Sequence, residues 1–139
     1  MNKMTMILFV LILIKVAVTD WKTKKIPNIY IWGIAVLGCI RTLFGQQEMF
    51  SFVCGFFIVG VPMLLITLIR PGAFGGGDIK LMAVSGMVLG WEKCLSAFVC
   101  AVFFSGIYCL FLIICKKSGR KTAFPMGPFF CLGMMIEIF

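Results

Sequence analysis

The sequence contains no histidine. That absence removes Ser-His-Asp and Cys-His nucleophilic catalysis and the commonest protein ligand for metal ions. Acidic residues are scarce as well, with 5 Asp or Glu against 13 Lys or Arg in 139 residues. Charged residues make up 13% of the chain, well below the roughly 25% of a soluble domain. Also missing are any Cys-x-x-Cys pair, any long linker and any low-complexity tract. The 7 cysteines are odd in number and nearly all lie inside or at the ends of apolar runs. Zinc sites need closely spaced ligand pairs. The cysteines therefore read as small buried hydrophobes, and no metal is expected.

What is present is hydrophobicity, at 62% of the residues. A spanning helix needs about 20 mostly apolar residues, and six candidate stretches occur, at residues 4–19, 29–44, 50–69, 72–91, 95–115 and 123–139. The expected fold is all-α, a polytopic membrane protein of about six transmembrane helices. The expected domain organisation is a single membrane-embedded unit over residues 1–139. The first stretch ends in Thr19-Asp20-Trp21 with no small-residue cleavage site, unlike a secretory signal peptide, and it can continue as helix past Asp20. Pro62 predicts a kink in the third, of a kind that neighbouring helices tolerate. The fourth is too short if counted from Ile79. Counted from Gly72, it places three glycines and Asp78 at membrane depth. Irregular backbone survives there only when buried in protein or lining a wet cavity, and either setting suits an active site.

The net charge of +8 could suggest nucleic acid. The basic residues fall instead in short loops between apolar runs, as the positive-inside rule describes, so membrane lipids and not nucleic acid are the expected partners. The loops after stretches one, three and five carry Lys22, Lys24, Lys25, Arg70, Lys116, Lys117, Arg120 and Lys121. The other side holds Lys3, Arg41 and Lys93. This alternation puts both termini outside and Asp20 and Asp78 together on the cytoplasmic side of the membrane.

An ionisable residue at membrane depth is costly and functional by default. Two carboxyls brought together there share one proton, because desolvation and like charge both disfavour double ionisation. The ionised member takes a proton from an attacking water while the protonated member polarises a peptide carbonyl. Such a reaction requires no metal, no cofactor and no covalent intermediate. Gly75, Gly76 and Gly77, just before Asp78, let a substrate backbone approach and permit positive φ. Plainer roles accompany these. Asp78 suits a helix N-cap, Asp20 balances the nearby lysines, Lys80 can snorkel to lipid headgroups, Pro27 and Asn28 read as a helix start, and Glu137 sits at the outer interface.

Asp20 followed by Lys24-Lys25-Ile26-Pro27-Asn28, then Gly75-Gly76-Gly77-Asp78-Ile79-Lys80, resembles the type IV prepilin peptidases. Pro125-Met126-Gly127-Pro128 resembles the same family. The resemblance implies a cytoplasmic-membrane aspartic endopeptidase. Such enzymes cut the basic leader from prepilins or pilin-like proteins at the cytoplasmic face. It also implies that Asp20 and Asp78 are catalytic, with Gly75, Gly76, Gly77, Lys80, Pro27 and Asn28 in the active-site region. Larger members carry an N-terminal region with two Cys-x-x-Cys pairs linked to methylation of the new N-terminus. Here none occurs, so peptidase activity without N-methyltransferase activity is expected, as in the short peptidases of tight-adherence pilus systems. The sequence specifies no homo-oligomer. The same aspartates also suit two other readings. One is a small proton-coupled carrier, which a proton-flux assay in liposomes would detect. The other is a non-catalytic subunit of a secretion or pilus assembly machine, which would keep working without either carboxyl.

Overall fold

A computed structural model describes residues 2–115 and 126–139. Pro125 and the basic residues Lys116, Lys117, Arg120 and Lys121 lie outside the described residues, as do positions 123–125 of the sixth stretch. Among the described residues there are six helices and no strand: α1 (Lys3–Thr23), α2 (Asn28–Leu43), α3 (Met49–Ile69), α4 (Gly76–Leu89), α5 (Trp91–Ile114) and α6 (Gly127–Ile138).

Among the described residues, α1, α3 and α5 are long and apolar enough to cross a membrane. The six helices fall on the six candidate stretches, the fourth short as one count of it implied; α2, α4 and α6 hold 16, 14 and 12 residues. At about 1.5 Å per residue, α4 covers roughly two thirds of a 30 Å hydrocarbon core. The three long helices expose most of their apolar side chains, whereas nearly every residue of α4 from Leu81 to its end is buried. Apolar outer faces need a lipid-like solvent; a central short helix needs only neighbours.

Small residues let the backbones around α4 approach, as in membrane helix packing generally. Gly55 on α3 lies directly against Gly86 on α4, where a Cβ on Gly55 would fall 2.7 Å from the Gly86 carbonyl carbon. One turn further, a Cβ on Gly60 would meet Ala83 Cβ at 2.9 Å. On the other flank Gly38 of α2 faces Met87. Across the bundle, α6 lies on α5, with Gly133 against Ala97 and Ala101, and Phe98 stacked on Phe130 at 6.1 Å. Pro62 is accommodated inside α3.

The helix order produces two ends. At one end α1 finishes and α2 and α4 begin. At the other, Lys3 and Phe139 line one cavity, Ser96 Oγ donates to Glu137 Oε1 at 2.6 Å, and Ser51 and Gln47 lie beside Gly90.

Candidate active site

Asp20 is in the last turn of α1. That helix ends on Lys24, which takes a left-handed φ of 54° and whose N–H donates to the Asp20 carbonyl at 2.8 Å. The reversal sends Lys25-Ile26-Pro27 back across the start of α4. Ile26 comes to rest on Gly77, where a Cβ would meet Ile26 Cβ at 3.1 Å. A glycine at position 77 thus lets the first motif dock on the second. Pro27 is the N-cap of α2, one position earlier than a helix-start proline usually sits.

Asp78 stands three residues after Gly75, the N-cap of α4, and its Oδ2 lies close to the Gly75 backbone. Asp78 thus sits inside the first turn of α4 and not at the cap. The glycine run is not a loose turn. Gly76 and Gly77 are helical, and positive φ occurs instead at Gly45, Gly72 and Gly90. The expectation that this run exploits left-handed backbone is therefore corrected. Its smallness is used for close approach, at Gly77 against Ile26 and at Gly75, where a Cβ would stand 3.1 Å from Asp78 Oδ2.

Asp20 and Asp78 line one cavity of about 300 Å³. Gly75, Gly76, Gly77, Lys80 and Asn28 line it too, so of the residues assigned to the active-site region from the sequence only Pro27 is not in the lining. Lys24, Lys25 and Ile26 complete the lining and were not assigned to the site beforehand. Asp20 is only 4% exposed. Asp78 is half-buried, and its Oδ1 is fully enclosed with no hydrogen-bond partner among the described residues.

The main residue that sequence reasoning missed is Gly127. Its N–H, at the start of α6, donates to Asp20 Oδ2 at 3.0 Å. A Cβ there would collide with that oxygen and lie 2.8 Å from Asp20 Cγ. The signal was present in Met126-Gly127-Pro128, a glycine beside a helix-start proline, but nothing local says which side chain needs the space. No cluster of potential metal ligands occurs among the described residues. The arrangement puts two carboxyls on one cavity and offers a donor-rich rim of lysines.

No solved structure matches the chain. A prepilin leader peptidase/N-methyltransferase of Bacillus subtilis (strain 168) is 30% identical over 131 residues, which is 94% of this chain and 53% of that protein. A protein of the same name from Legionella pneumophila is 34% identical over 65 residues, covering 47% of this chain and 23% of that protein. The chain thus spans about half the length of the Bacillus relative. The description of the type IV leader peptidase family matches residues 7–110, which is well over half of the chain and takes in both aspartates, and the chain belongs to that family.

Proposed function

We propose that this chain is an aspartic endopeptidase of the cytoplasmic membrane that removes the basic leader from type IV prepilins or pilin-like proteins. One observation carries the reading: two carboxyls more than fifty residues apart in sequence, at the end of α1 and the start of α4, line one small cavity. The family and the names of the relatives support prepilin processing. The chain spans about half of the Bacillus relative, and the proposal takes up only the peptidase half of those names.

In the proposed mechanism the two carboxyls hold one proton between them, since a dry site disfavours two adjacent charges. The ionised carboxylate takes a proton from water as the water oxygen attacks the scissile carbonyl carbon. The protonated carboxyl donates to the carbonyl oxygen as charge develops there. Collapse of the tetrahedral intermediate breaks the C–N bond, and the departing amine collects a proton from the carboxyl that received it. Gly127 N–H fixes one oxygen of Asp20.

The residues form one membrane-embedded domain, with the aspartate end toward the cytoplasm and both termini outside. Lys22, Lys24, Lys25, Arg70 and Lys80 at the aspartate end, against Lys3, Arg41 and Lys93 at the other, support that orientation. Anionic lipid draws the basic leader to this face. The test is co-expression with a candidate prepilin, read as a leader-dependent size shift. Asp20→Asn and Asp78→Asn are each expected to abolish the shift while the protein still inserts. Complete processing by either variant would falsify the two-carboxyl mechanism.

A further inference from the structure

The two carboxyls are held by elements that touch each other little. Asp20 is bonded by Gly127 at the start of α6, and Asp78 follows the glycine run that opens α4. Helices α4 and α6 meet over only a small area, whereas α5 packs on both. No residue of α5 lines the aspartate cavity.

The segment leading to Asp78 has a single anchor. Among residues 70–78, Phe74 is the one large apolar side chain. It packs against the core, while Gly75 and Gly76 stay exposed. The Phe74 ring stands 6.5 Å from the Phe98 ring on α5, tilted by 55°. Phe98 in turn lies within 8° of parallel to Phe130 on α6, 6.1 Å away. Both spacings fall in the range where aromatic pairs attract beyond their burial. Phe130 is buried and comes three residues after Gly127. The row of three rings thus runs from the segment of one acid to the helix that holds the other, with Phe98 in the middle.

We infer that Phe98 is a positioning residue: through Phe74 and Phe130 it sets the separation of Asp78 and Asp20 from outside the cavity. The inference rests on the peptidase reading. Ile26 on Gly77 holds the same glycine segment from its other side, so losing Phe98 loosens Asp78 without freeing it. A ring that only filled space would affect stability and leave the relation of the acids alone.

The test is the pH dependence of leader removal by the full chain in membranes. Two carboxyls that share a proton titrate in two steps, and the gap between the steps widens as the groups approach. The two limbs of the rate profile report those steps. Lys24, Lys25 and Lys80 line the same cavity, and their charges shift both limbs the same way. Cys131, one turn along α6 from Gly127, is unaltered in every variant. Phe98→Ala is expected to slow cleavage roughly tenfold and to bring the limbs closer by about half a pH unit or more. Phe98→Tyr keeps the ring and should restore both rate and gap. Phe103→Ala removes an exposed ring from the same helix and should change neither. A slower rate with an unaltered or wider gap would make Phe98 a packing residue only and overturn the inference, as would a wild-type rate. Should Phe98→Ala fail to fold, Phe74→Ala removes the first ring contact, leaves the α5–α6 packing in place, and is judged by the same two readouts. None of these results touches the peptidase reading, which falls only if Asp78→Asn processes the substrate normally.

Discussion

Replacing Gly127 with alanine adds one methyl group at the most crowded point of the site. The new Cβ would stand 2.8 Å from Asp20 Cγ, whereas ordinary contact begins at 3.4 Å, and it would overlap Oδ2 outright. Asp20 is 4% exposed, and the room beside its carboxyl is the site cavity itself, so any retreat displaces it within the site. Either Asp20 moves by more than half an ångström or the start of α6 lifts, and both break the 3.0 Å bond from Gly127 N–H. A misplacement of about 1 Å in a catalytic group can cost on the order of 100-fold in rate. Gly127→Ala is therefore expected to lower leader cleavage by roughly 10- to 100-fold. The assay is the initial rate of prepilin processing in membranes, with abundance and unfolding temperature measured in parallel. Gly106→Ala is the control, since a Cβ there meets nothing within 4 Å. It should leave the rate unchanged. Wild-type cleavage by Gly127→Ala, with the protein folded, would refute the positioning of Asp20 by α6.

Other outcomes follow from the packing. Gly86→Ala places a Cβ into the Gly55 carbonyl and 3.1 Å from Cys94 Sγ, so it should destabilise the α3–α4 crossing by about 1–3 kcal/mol, read as a lower unfolding midpoint in detergent. An unchanged midpoint would mean that the two backbones are not in contact. Cys39 and Cys115 are exposed, and replacing both with alanine should leave processing intact if cysteine serves only to fill space. Cys94→Ala removes a fully buried side chain whose Sγ lies 3.6 Å from the Met82 carbonyl. It should cost on the order of 1 kcal/mol without abolishing catalysis; total loss of activity in a folded protein would assign that thiol a chemical role.

The sequence alone determined the solvent and the helical class. Apolar runs at 62% hydrophobicity can satisfy their backbone in lipid only as helices or closed barrels, and their length selects helices. It also marked Asp20 and Asp78, because so few acids sit at the ends of apolar runs. Tertiary structure decided the rest. Helix lengths in the short elements depend on how many neighbours bury them, so α4 could stop at 14 residues and still lie at the centre. The use of the glycines was decided by what crosses them: Ile26 on Gly77, Gly55 on Gly86, and Asp20 on Gly127. Each is a contact between distant parts of the chain, and hydrophobic periodicity carries no information about such pairs. The meeting of the two carboxyls depends on the same close approaches.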